Sequence, residues 1–168
     1  MDDDLLIRPA DAADAEAIAE VHIASWRGAY TGVVAEEYLD SLDQDTRAAE
    51  WRTNLATPGM RSWVAREEDR VRGFITLGPS RDVDAGLGAL EIYAIYLEPA
   101  AWGSGIAREL LRTVTGEVPP STPLSLWVLA DNDRARHFYR RHGFVTDGID
   151  RIDEIGGVGY RQVRYVRD

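Results

Sequence analysis

The sequence predicts a mixed α/β domain, and three observations carry the prediction. Apolar residues recur at helical spacing up to Pro58-Gly59 and at strand-like spacing beyond it. Residues 87–97 form a long, nearly continuous apolar run, the pattern of a central strand covered on both faces. A glycine pair, Gly103 and Gly105, then leads directly into a striped helix. The resulting order is a strand, two helical stretches, three strands, helix, strand, helix and two strands. That order excludes a simple doubly wound series.

Residues 5–9 (LLIRP) read as the first strand. Ala15, Ile18, Val21, His22, Ser25 and Trp26 then recur at helical spacing, with Asp11 or Asp14 as N-cap. Gly28 and Gly32 bracket a loop carrying Tyr30. A second helical region spans residues 35–55, with a break near Leu42. Residues 61–66 and 70–77 are strand-like and joined by EEDR, a hairpin. The helix over residues 105–115 presents Ile106, Ala107, Leu110, Leu111 and Val114 as one stripe. VPPSTP is a rigid connector to a strand over residues 124–129. Asn132 caps a helix that runs to His142 and is ended by Gly143. Strands over residues 144–151 and 160–167 follow. Residues 1–168 show no repeat and read as a single domain.

Composition narrows the function. Hydrophobic residues make up 45% and charged residues 29%, a globular balance. There is no cysteine, which removes disulfides, thiolate metal sites and a Cys nucleophile together. The formal net charge is −10, with no basic footprint of the kind nucleic acids require, whereas a negative field draws cationic amines. All 19 strongly basic residues are Arg, so no side-chain ammonium is present for Schiff-base chemistry. The acidic start MDDD and the lack of a long apolar run argue against a signal peptide or membrane anchor. A cytoplasmic protein is the expectation.

The glycine turn has two readings. It fails the dinucleotide fingerprint, because Arg108 stands where the third glycine belongs, and it lacks the GK[ST] of a P-loop. It is either an ordinary turn or an anion site. In the second case a pyrophosphate rests on the amides of Gly103, Ser104, Gly105, Ile106 and Ala107 at the positive end of a helix.

The turn is not isolated. WGSGIA (residues 102–107) and the downstream Asn132, Ala135, Phe138, Tyr139, Gly143 and Phe144 together resemble the GNAT superfamily of acyl-CoA-dependent N-acetyltransferases. Its phosphate motif runs [QR]-x-x-G-x-[GA] and its second motif N-x-x-A-x-x-F-Y-x-x-x-G-F. The opening IRPADAADAEAIAEVHIASW is similar too, so the resemblance spans nearly the whole chain. It implies a mostly antiparallel, twisted sheet of six or seven strands flanked by about four helices. It implies acetyl-CoA as cosubstrate, no metal, and an amine-bearing small molecule or peptide as acceptor. Trp102 departs from the motif's Gln or Arg, and Arg108, one turn into the helix, is the candidate to compensate. Many members pair through C-terminal strands, so a homodimer is compatible with the resemblance.

Acetyl transfer needs a neutral amine, a stabilised oxyanion and a protonated leaving thiolate. Neutralising a lysine-like amine at pH 7 costs about 4.6 kcal/mol, against roughly 1–1.4 for an α-amine. Glu91, alone in an apolar strand, is the candidate base; the competing reading is a carboxylate bonded to a neighbouring strand or to an Arg. His22 and Tyr93 are further candidates. By resemblance, the backbone amides of Ile95 and Leu97, with Tyr96 between them, hold the thioester and pantetheine arm. Tyr139 is then the leaving-group acid and Asn132 a pantetheine contact. Trp26, Tyr30, Trp51, Trp63 and Tyr160 are available to line an acceptor wall, with Glu36, Glu37 and Asp40 for charge. The rival reading is a catalytically silent acyl-CoA-binding or regulatory module.

Overall fold

The computed structural model describes residues 4–167; the acidic start at residues 1–3 lies outside them. Seven strands form one sheet, flanked by five helices. The elements are β1 (Leu6–Pro9), α1 (Ala15–Tyr30), α2 (Glu36–Asp40), α3 (Gln44–Ala56), β2 (Arg61–Glu67), β3 (Arg70–Pro79), β4 (Leu90–Leu97), α4 (Ile106–Glu117), β5 (Leu124–Leu129), α5 (Asp133–Arg141), β6 (Phe144–Ile155) and β7 (Val158–Arg167). The sheet order is β1-β2-β3-β4-β5-β7-β6. Only β4 and β5 pair in parallel; every other neighbour pair is antiparallel.

Local chemistry explains the elements. Asp11 and Asp14 form a capping box around a short 3-10 turn, and Asp14 also takes a bidentate ion pair from Arg8 at 2.8 and 2.9 Å. Asp43 caps α3 through the Thr46 amide, so the break in the second helical region falls over residues 41–43. The expected loop between Gly28 and Gly32 is corrected: α1 continues to Tyr30. Gly28 lies within α1, and a Cβ there would stand 2.7 Å from Pro99 and 3.0 Å from the Trp102 ring, so the position has room only for glycine. The run at residues 87–97 pairs as a strand only from Leu90, and residues 80–89 form a loop.

Two apolar layers sandwich the sheet. α4 lays Ile106, Leu110, Leu111 and Val114 against Ile75, Leu77, Ile92 and Leu126. On the other face α1 and α3 pack Ile18, Ala19 and Trp51 against Val64 and Phe74. Among the described residues no helix is long and apolar enough to cross a membrane.

Candidate active site

The site arises where the parallel pair fails. β4 and β5 share only three register positions, ending at Ile92 and Leu126. The β3–β4 register slips beside Tyr93, where β4 carries one extra residue, a bulge. Beyond it the two strands diverge, and Ile92–Leu97 face Leu126–Leu129 across a cleft of about 660 Å³. The Glu98 amide donates to Arg72 O at 3.0 Å, and Gly73 pairs with Leu97 and Ile75 with Ile95. Antiparallel partners alternate between bonded and non-bonded pairs. The amides of Ile95 and Leu97 therefore turn away from β3, toward the gap.

The glycine turn closes one end of this cleft. Gly103 and Gly105 both have positive φ, +78° and +91°, which L side chains adopt only with strain. The Ser104 amide is spent on Ala101 O, and the Ile106 amide faces Ser104 Oγ at 3.4 Å. The amides of Gly103, Gly105, Ala107 and Arg108 make no hydrogen bond among the described residues. A helix N-terminus with free amides is an anion cradle. Arg108 itself lies beside Glu109 at 3.5 Å.

Tyr139 is buried, with its ring against Phe138, Phe144 and Tyr165, and it lines the cleft. Burial raises its pKa above the ordinary phenol value, so it stays protonated at working pH. Tyr96 is raised in the same way by burial. Asn132 accepts from the Ala135 amide and donates to the Tyr30 hydroxyl at 3.3 Å, tying α5 to α1. Trp102 lines the mouth and fixes its indole by donating to Leu97 O at 3.2 Å.

Glu91 lies elsewhere. It is 1% exposed and outside the cleft lining, and its carboxylate takes the Arg81 amide at 3.0 Å and the Arg81 guanidinium at 2.6 Å. The geometry is that of the bonded carboxylate. Arg81 in turn lies 3.9 Å over the Tyr93 ring, whose hydroxyl donates to Pro79 O. Trp26 and Tyr30 line the cleft, while Trp51 and Trp63 are core and the Tyr160 hydroxyl accepts from the Ala35 amide at 3.0 Å. Glu36, Glu37 and Asp40 do not line it. Trp127, Gln162 and Arg134 are among the lining residues that the sequence did not single out. The first had a signal in strand alternation, since Trp127 sits between buried Leu126 and Val128.

His22 also lies outside the lining. Its ring stacks on Tyr96 at 5.0 Å, and its Nδ1 accepts Trp51 Nε1–H at 3.1 Å. Burial, helped by the charge of Arg47, lowers its pKa from 6.5 to about 3. The unfolded chain protonates this group near pH 6.5 and the folded chain only near 3. Its contribution is thus complete above the first value and is lost as pH falls through the window. Unfolding free energy is expected to drop by up to about 1.4 kcal/mol per pH unit below that point. Urea midpoints from neutral pH downward check this, and His22→Gln should flatten the slope; an unchanged slope would refute it.

Known proteins resemble this chain in sequence and in fold. Residues 17–144 match the family model described as Acetyltransferase (GNAT) family. The chain is 35% identical over 160 residues to the uncharacterized N-acetyltransferase YuaI of Bacillus subtilis, covering 94% of this chain and 89% of that one. It is 28% identical over 121 residues to the peptidyl-lysine N-acetyltransferase YjaB of Escherichia coli, covering 67% of this chain and 72% of that protein. Its fold matches the PaiA N-acetyltransferase of Thermoplasma acidophilum, crystallised with coenzyme A, at TM-score 0.73 and 22% identity, over 95% and 97% of the two chains. Motif, sheet topology and family match agree, and the chain belongs to the acetyltransferase (GNAT) family.

Proposed function

We propose that this family member transfers an acetyl group from acetyl-CoA to a primary amine of a small molecule or peptide, by direct attack in a ternary complex. The observation that carries the reading is the gap between β4 and β5. It leads from the free Ile95 and Leu97 amides to the free amides of the glycine turn. The lining suits an anionic, elongated ligand: Arg108, Arg134, Arg141, His137 and His142 contribute to it, and no carboxylate does among the described residues.

Acetyl-CoA supplies the activated thioester. The Ile95 and Leu97 amides are the donors to its carbonyl oxygen as negative charge develops. Gly103, Gly105, Ala107 and Arg108 offer amides to the diphosphate; of the five amides expected from the sequence, those of Ser104 and Ile106 are already engaged, and that of Arg108 is added. Tyr139 donates its proton toward the leaving sulfur. The paired carboxylate of Glu91 is not assigned the base role. Attack then draws on the neutral fraction of the amine, and kcat/KM should follow the acceptor's own pKa.

Calorimetric titration with acetyl-CoA, with CoA and NAD as controls, is the first test. Micromolar acetyl-CoA binding without NAD binding is expected, followed by thiol release in an amine screen. No acetyl-CoA binding would refute the reading. The Glu91–Arg81 pair favours one alternative, a silent acyl-CoA-binding module, which predicts binding with no thiol release for any amine. A homodimer belongs to the proposal as well: β6 is an edge strand with exposed Ile149 and Ile152.

A further inference from the structure

Trp102 departs from the polar residue of the family motif, and the structure puts a cation on top of it. The Arg134 guanidinium, from the first turn of α5, lies 4.4 Å from the Trp102 ring centroid. The indole is a fixed platform. Its Nε1 is bonded to Leu97 O, and its far edge meets Gly28, where a Cβ would stand 3.0 Å from the ring. Arg134 is exposed, lines the cleft, and makes no ion pair among the described residues. Arg108 differs, since Glu109 stands beside its guanidinium and shares its charge.

We infer that Arg134, held over Trp102, is the side-chain contact for the cofactor's diphosphate. It is a replacement in space for the position that Trp102 gave up. Three observations converge. Trp102 immediately precedes Gly103, so a group resting on its ring borders the free amides of the turn. A guanidinium stacked on an aromatic face keeps its in-plane N–H donors free for a phosphate. The contact comes from α5 while the amides come from α4, so the two helices would grip the anion from both sides. Arg108, the compensating residue expected from sequence spacing, becomes secondary because its charge is already shared. Gly28 also gains a reason: a larger residue there would push the indole, and with it Arg134, out of place.

This inference rests on the proposed donor, and the test separates the two. Wild type, Arg134→Ala and Arg134→Lys are titrated by calorimetry with acetyl-CoA and with its 3′-dephospho form. Arg134→Ala is expected to weaken both ligands alike, by roughly 10- to 100-fold, the loss of one charge-assisted hydrogen bond. Arg134→Lys should recover part of the loss, because charge remains while the planar stack does not. In a Trp102→Leu background the Arg134→Ala effect should shrink, since the platform has gone. Binding by wild type with unchanged affinity in Arg134→Ala overturns the assignment alone. Loss confined to acetyl-CoA, with the 3′-dephospho form spared, also overturns it, by moving Arg134 to the 3′-phosphate. Failure of wild type to bind either ligand overturns the donor itself and the assignment with it.

Discussion

Tyr139→Phe is expected to lower kcat by roughly a hundredfold to ten-thousandfold, the usual worth of a positioned acid, and to leave acetyl-CoA binding intact. The ring is set by its neighbours: Phe138, Phe144 and Tyr165 meet it at centroid distances of 5.5, 6.1 and 6.2 Å. Phenylalanine keeps all of that packing and removes one hydroxyl from the cleft lining. Burial keeps the phenol protonated, so the proton to be donated is in place. Calorimetry and a thiol-release assay on one preparation separate binding from chemistry. Thiol release at the wild-type rate would remove Tyr139 from the mechanism.

Arg164→Leu is expected to cost about 1–3 kcal/mol of stability, the scale for leaving a buried hydrogen-bonding group without its charged partner. Arg164 lies on β7, 9% exposed. Its guanidinium takes Asp84 in a fork at 2.7 and 2.8 Å, Asp147 at 2.8 Å and Asp82 at 3.2 Å. Hydrogen bonding to Asp84 is the main cause that raises its pKa, so it is cationic at every working pH. Asp82 also accepts Trp127 Nε1–H at 2.9 Å. One side chain thus pins the β3–β4 loop, through Asp82 and Asp84, and β6, through Asp147 where the β6–β7 register slips, to the sheet beside the cleft wall. Without it, three carboxylates face one another, and the Asp82 side chain is only 8% exposed. Arg164→Lys should fall between the two, since the charge survives and the fork does not. Urea unfolding measures the loss. A cost below about 1 kcal/mol would mean the cluster behaves as exposed pairs do.

Much of this site was legible locally, because its parts are governed by neighbours in sequence. The glycine turn needs positive φ, which only glycine takes without strain. Asn132 caps through an amide three residues on. Other features were hidden because they depend on distant chain segments. Glu91 was readable as buried, but its partner arrives through the loop over residues 80–89, whose course no periodicity encodes. The bulge at Tyr93 was masked because a run apolar on both faces carries no alternation to reveal a register slip. Gly28 looked like loop punctuation, whereas its missing Cβ makes room for Pro99 and Trp102. Arg134 drew no notice at all, since its meaning depends on a ring from another helix's approach loop.

The position of β7 has a consequence for assembly. It is the last of the described strands but an inner strand of the sheet, lying between β5 and β6. During synthesis β1 to β4 can zip in order, each onto the strand made just before it. β5 gains only three pairs on β4, and its other edge waits for Val158–Arg167. One wall of the cleft is therefore unsupported until those residues have been made, so the pocket cannot be complete before β7 is in place.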